Sequence, residues 1–221
     1  MSLEREKQLA AEAAAQLVED GMTVGLGTGS TVGFLLPALA ARGLELRCVA
    51  TSPATEEAAR ALGLRVESFG GAGAPTRLDI AIDGADQVEP SGWLVKGGGA
   101  AHTREKVVAA AADRFVVVAS SDKFVDRLKP PVPLELLEYG LAATLRRLEH
   151  VRLRDVPRSP DGGVIADYLG EFDDPELLAL QLSTTAGVVE HGLFPPWLVS
   201  EVLGGRDEEV ERFSPGRKRP R

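Results

Sequence analysis

The sequence predicts an α/β protein: a doubly wound, mainly parallel sheet joined to a smaller α+β unit. Three observations carry this. Up to about residue 129, short apolar runs alternate with stretches rich in Ala, Leu and Glu, the order expected of a parallel sheet covered by helices on both faces. A glycine-rich turn, Gly25-Leu26-Gly27-Thr28-Gly29, separates the first apolar run from the next helical stretch. A proline cluster, Lys129-Pro130-Pro131-Val132-Pro133, then divides the chain, and the order of elements changes beyond it.

Residues 2–20 are rich in helix formers, with Leu9, Ala13, Leu17 and Val18 near one face and Gly21 as the stop. Residues 22–26 read as the first strand and 32–41 as the helix after the glycine turn. This strand–loop–helix unit is Rossmann-like. Residues 46–50 form the next strand, and Ser52-Pro53 opens a helix with a capping hydroxyl and proline at its first position. Further strands are expected at 64–69, 78–82 and 115–119, the last preceded by a helix beginning at Thr103.

Beyond the prolines come a short strand at 132–135, a mostly helical stretch over 134–148, and strands at 151–154 and 163–168. A helix at 174–182 and a strand at 187–191 complete the set. A β-α-β-β-α-β order marks a ferredoxin-like α+β unit. Residues 198–203 are expected to return to the first sheet. The expected domains are therefore 1–130, with 198–221 returning to it, and 131–197.

Composition narrows the function classes. In 221 residues, 44% hydrophobic and 26% charged content allows a substantial core. A net charge of −8 argues against a nucleic-acid surface, and the basic run Arg217-Lys218-Arg219 reads as a solvated end. The single cysteine, Cys48, sits in the apolar run LRCVA and reads as a small buried hydrophobe in a reducing compartment. No stretch resembles a signal peptide or a membrane span. A soluble, cytoplasmic protein with neither nucleic-acid nor membrane partners is expected. The apolar, proline-rich residues 193–197 could serve an interface in a homodimer or homotetramer.

The chemistry-bearing residues cluster. Glycines and hydroxyls at Thr28, Gly29, Ser30 and Thr31 precede a helix, whose free N–H groups suit a phosphate. The loop lacks the Gly-Lys-Ser/Thr ending of a Walker loop. It is also a poor dinucleotide fingerprint, because Ser30 stands at the third glycine position and no acidic residue ends the second strand.

Asp83-Gly84-Ala85-Asp86 ends a strand, at the carboxyl edge where open parallel sheets bind ligands; the same residues could instead make an Asx turn. Lys96-Gly97-Gly98-Gly99 leads to Thr103, an expected N-cap, which puts Glu105 in a first helical turn, where an acid could merely complement the helix dipole. Lys123 follows another strand end, and Lys7 lies on the first helix, where a plain surface role is the alternative. His102 reads as solvent-facing or capping. Three scattered histidines give no metal site, so no metal is expected.

GTGST, DGAD, KGGGAA and TREK, in this order and spacing, resemble ribose-5-phosphate isomerase of type A. The resemblance runs from the first helix through Val132 and continues loosely with VVEHGLF. It implies a cofactor-free aldose–ketose isomerase that interconverts D-ribose 5-phosphate and D-ribulose 5-phosphate through an enediolate, in the non-oxidative pentose phosphate pathway. It further implies that Glu105 moves the carbon-bound proton and Lys96 stabilises the enediolate. Thr28 to Thr31, Gly84, Ala85, Gly97, Gly98, Gly99, Lys123 and Lys7 would hold the substrate. The oxygen-bound proton falls to Asp83 or Asp86, with Asp83 expected as shuttle and Asp86 as orienting group. Two positions depart from the family pattern: Gln87, often Glu, and His102, often apolar.

Rival readings are a sugar-phosphate isomerase-deaminase or a CoA transferase of related architecture, or a non-catalytic sugar-phosphate sensor. The transferase favours a longer chain. The sensor would carry a DNA-binding helix-turn-helix and could dispense with Glu105.

Overall fold

The structure, a computed structural model, describes residues 2–215, so the basic run Arg217-Lys218-Arg219 lies outside the described residues. The elements of the first half are α1 (Leu3–Ala15), β1 (Thr23–Leu26), α2 (Ser30–Ala40), β2 (Arg47–Ala50), α3 (Pro53–Ala61), β3 (Leu78–Gly84), β4 (Gln87–Val88), β5 (Leu94–Val95), α4 (His102–Ala111) and β6 (Ala112–Ser120). A single 3-10 turn, Ser121–Lys123, follows. Then come β7 (Val132–Leu136), α5 (Leu141–Leu148), β8 (Val151–Leu153), β9 (Val164–Tyr168), α6 (Pro175–Ser183), β10 (Val188–His191), β11 (Leu193–Phe194), β12 (Glu201–Arg206) and β13 (Glu209–Phe213).

The main sheet has the order β13-β12-β6-β3-β1-β2. Every pairing in it is parallel except β12 with β13. Its strands are apolar on both faces because both are covered. Val24, Leu26, Ile80, Ile82, Val116 and Val118 pack under α1 and α2. Ala81, Phe115, Val117 and Val202 pack with Val108 and Ala109 of α4 on the other face. Because β1 lies between β2 and β3, the chain steps outward from β1 to β2 and then crosses back past β1 to β3. The crevice beyond the carboxyl ends of β1 and β3 is thus the switch point, the preferred ligand position in such sheets.

A second, antiparallel sheet has the order β10-β7-β9-β8, the ferredoxin-like arrangement expected from the element order. Leu134, Leu136, Leu148, Leu178 and Leu182 form its core. A third sheet, β11-β5-β4, joins the two. Its two-residue strands are too short to leave a periodic pattern.

Several boundaries differ from expectation, and the N-cap of α4 is Ala101 rather than Thr103. The first helix stops at Ala15, because Leu17 and Val18 turn back onto the Ala14 and Ala15 carbonyls. The guanidinium of Arg42 also caps the carbonyls of Ala15 and Val18. The run after Pro133 is a strand to Leu136, and its helix starts only at Leu141. Every residue of β7 is buried between two neighbours, and such an apolar run reads equally as helix or strand. Residues 64–69 make a single bridge, Val66 beside Cys48, rather than a strand.

Candidate active site

The loop after β1 opens directly into α2. Gly29 is the N-cap and contributes no side-chain cap, so the first-turn N–H groups remain available to an anion. The loop is held from behind. Thr28 N–H donates to Asp83 Oδ1 at 3.0 Å, its hydroxyl meets that of Thr51 at 2.7 Å, and Thr55 Oγ1 donates to the Gly27 carbonyl at 2.9 Å. Gly27 must be glycine here, because a Cβ would fall on the Asp83 carboxylate.

Three ionisable groups meet under this loop. Asp83, at the end of β3, is 2% exposed; Lys96, just past β5, is 2% exposed; Glu105, in the first turn of α4, is 4% exposed. The Lys96 ammonium donates to the Gly84 carbonyl at 2.5 Å and ion-pairs with Asp83 Oδ2 at 2.9 Å and Glu105 Oε2 at 3.1 Å. Asp83 Oδ1 also accepts the Gly84 N–H at 2.7 Å.

One buried ammonium cannot balance two buried carboxylates. Burial, reinforced by the charge of Asp83 and opposed by Lys96, pushes the Glu105 carboxyl up to about 8. Burial also raises Asp83, against the pull of Lys96. For Lys96, burial works to lower its pKa, but Asp83 and Glu105 outweigh it and hold it above the ordinary lysine value.

A cleft of ≈140 Å³ opens above the triad. Residues 28–31, 84–86 and 96–99 line it, with Glu105 and Lys123. Asp86 is exposed to the cleft and accepts the Gly98 N–H at 2.7 Å. Of the expected site residues, two stand outside the lining. Asp83 lies beneath it, tied to Lys96. Lys7 is paired with Glu4 at 2.8 Å, although α1 packs against the turn that carries Lys123.

A larger groove of ≈860 Å³ runs past α4 and α6, lined by Trp93, Val107, Leu180 and Trp197 among others. Lys106, Glu190, His191 and Ser183 in its wall are bonded to one another, whereas the smaller cleft joins a buried acid–base triad to an uncapped helix N-terminus and is the better chemical site. No group of three or more His, Cys, Asp and Glu side chains among the described residues is arranged to hold a metal.

His102 corrects the expectation of a solvent-facing or capping residue. It is 0% exposed and packs beneath Gly97, whose φ of +104° leaves no room for a Cβ over the ring. Burial, then the nearby Lys106, lowers its pKa to about 3, so the ring is neutral. Gln87 ties the start of β4 to the proline segment. Its amide donates to the Lys129 carbonyl and accepts the Lys129 N–H, both at 2.8 Å. A carboxylate could not make the first bond. Thr51 and Thr55, which support the glycine-rich turn, carry almost no signal in the sequence. The capping pattern at Ser52-Pro53 is the only local one, and it points to a helix start rather than to a contact with Thr28.

Residues 47–209 match the family model described as Ribose 5-phosphate isomerase A (phosphoriboisomerase A). The chain is 44% identical, over 231 aligned positions, to the ribose-5-phosphate isomerase A of Caulobacter vibrioides, covering 97% of this chain and 100% of that one. The crystal structure of ribose 5-phosphate isomerase A from Neisseria gonorrhoeae has a TM-score of 0.91 at 31% identity, covering 98% of this chain and 99% of the other. A D-ribose-5-phosphate isomerase in complex with phospho-erythronic acid has a TM-score of 0.89 at 33% identity, with 97% and 100% covered. On sequence, fold and extent of match, the chain belongs to the ribose 5-phosphate isomerase A family.

Proposed function

We propose that this chain interconverts D-ribose 5-phosphate and D-ribulose 5-phosphate through an enediolate. The observation that carries the reading is the buried Asp83–Lys96–Glu105 triad at the floor of a cleft whose other wall is an uncapped helix N-terminus. That pairing gives one end of a substrate a seat for an anion and the other end a base. The related isomerase bound to phospho-erythronic acid, which carries both a phosphate and a carboxylate, supports a ligand of this charge pattern.

In this reading the phosphate sits on residues 28–31 and Lys123, with Lys7 swinging over from Glu4 to join it. Its binding energy holds C1 and C2 in register at the far end. Glu105, deprotonated, takes the proton from C2 of the aldose and returns it to C1. A carboxyl poised near neutral pH is well matched to that exchange. Lys96 and the glycine-loop N–H groups stabilise the negative charge that develops on oxygen.

The oxygen-bound proton must move between O1 and O2. The geometry favours exchanging the roles first expected of the two aspartates. Asp86 faces the cleft and has Oδ1 free of the Gly98 contact, so it is the better shuttle. Asp83 has both oxygens engaged and acts by fixing Lys96 and raising Glu105. Hydrogen moves within one molecule, so the balance requires no external electron acceptor.

The division into units of 1–130 with 198–221, and 131–197, is supported by the separate cores of the two larger sheets. A homodimer or homotetramer is supported by the apolar groove bearing Trp93 and Trp197. A cytoplasmic location suits the buried thiol of Cys48, and no helix among the described residues is long and apolar enough to cross a membrane.

The test is to supply ribose 5-phosphate to the purified protein with EDTA present and follow ketose formation. Turnover is expected; its absence would overturn the assignment.

A further inference from the structure

The glycine loop is gripped from outside the catalytic set. Arg154, immediately after β8, donates from Nη1 to the carbonyls of Gly97 at 3.0 Å and Gly98 at 3.1 Å. Its other two nitrogens form a fork with Asp167 of β9, Nε at 3.0 Å and Nη2 at 2.6 Å. The pair is largely buried, with side chains 16% and 8% exposed, and the Arg154 backbone N–H is itself bonded to the Ile165 carbonyl at 3.0 Å. One guanidinium therefore joins the antiparallel sheet to the loop that lines the cleft.

The consequence follows from peptide planarity. In a trans peptide the C=O of one residue and the N–H of the next point opposite ways. The Gly97 carbonyl faces Arg154, and across the same peptide the Gly98 N–H meets Asp86 at 2.7 Å. A cation at one end and a carboxylate at the other polarise this unit and oppose its rotation. The next unit is held by the same guanidinium at the Gly98 carbonyl, which turns the Gly99 N–H the opposite way, away from Arg154, and Gly99 lines the cleft. Between three consecutive glycines a peptide can rotate with little steric resistance; the Ala100 N–H, 3.0 Å from the Gly97 carbonyl, shares the first of these units with Arg154, and the guanidinium holds the Gly98 carbonyl as well.

We propose that Arg154, fixed by Asp167, is a positioning residue: it orients two successive glycine peptides so that Gly98 N–H holds Asp86 and Gly99 N–H meets the enediolate. This rests on the reading that the loop stabilises the enediolate oxygens. The distance along the chain, 57 residues from Gly97 to Arg154, explains why no local motif announces it.

The test compares the parent with Arg154→Lys, Arg154→Ala and Asp167→Asn. Lysine keeps the charge but cannot span two carbonyls and a carboxylate. Both Arg154 variants are expected to lose about 100-fold in kcat, the scale of a small misplacement of reacting groups, with KM for ribose 5-phosphate little changed. Inhibition by phospho-erythronic acid should weaken alongside kcat, whereas inhibition by inorganic phosphate should not. A parent-like kcat in Arg154→Lys would overturn the proposal, as would equal weakening of both inhibitors. If Arg154→Ala does not fold, Asp167→Asn must still show a kcat loss with inorganic phosphate binding retained, or the proposal fails. Parent protein that does not isomerise ribose 5-phosphate would instead overturn the underlying function, which separates the two failures.

Discussion

The two walls of the cleft handle charge in opposite ways. On the wall proposed to seat the phosphate, Gly29 and Ser30 are exposed and Lys123 is about a third exposed. On the proton-transfer wall, Asp83, Lys96 and Glu105 are almost completely buried. A charge lost from a wet wall is replaced by solvent, whereas an ion removed from a dry cluster leaves its partner uncompensated. Substitutions on the first wall should therefore change binding. On the second they should change rate and stability together.

The largest expected effect is that of Glu105→Gln. Its kcat should fall about 10²- to 10⁴-fold, the range for losing a positioned base, while substrate still binds. Exchange of the C2 proton with solvent, followed by NMR, should stop; exchange near the parent rate would remove Glu105 from its role. Lys96→Met is next, with a kcat loss of about 10²- to 10³-fold. Breaking a buried ion cluster should also lower stability by about 3–5 kcal/mol, measurable by urea unfolding. Were Lys123→Ala equally destabilising, the contrast between the walls would collapse.

The pH response sharpens the same contrast. Glu105 acts as a base only when ionised, so kcat/KM should rise with pH until it levels off above about 8. Stability should run the other way. A carboxyl whose pKa is raised by folding favours the fold while it is protonated. That contribution is complete below its ordinary value of 4.5 and is lost as pH climbs toward about 8. Thermal melts of the parent and Glu105→Gln should diverge across this window, with the variant gaining relative stability at the alkaline end. The smallest effect belongs to Lys123→Ala: KM should rise about tenfold, as for one charge-assisted contact, and kcat should hold.

What is legible in the sequence is local. Strand, glycine turn and helix occur within ten residues around Gly27, and DGAD, KGGG and Glu105 lie within 23 residues, so the motifs themselves bring the groups together. What is not legible depends on distant contacts. His102 is buried because the glycine loop folds over it, a fact invisible in TREK or its neighbours. The roles of Asp83 and Asp86 cannot be divided from sequence because they share one turn; only the burial of one and the exposure of the other separates them. The strand at Val132–Leu136 reads partly as helix because leucine serves both periods when every face is buried.

The seat of the first helix has a consequence for synthesis. The backbone of Glu6 lies directly against Gly205 of β12, and its carboxylate accepts the Ser121 N–H at 2.8 Å, at the turn leading to Lys123. α1 leaves the ribosome well before the strand that completes its berth, which begins at Glu201. Domains generally fold as units during translation, and contacts of such wide separation close late. A nascent chain arrested short of residue 201 should leave α1 open to protease, with protection arriving once β12 clears the exit tunnel.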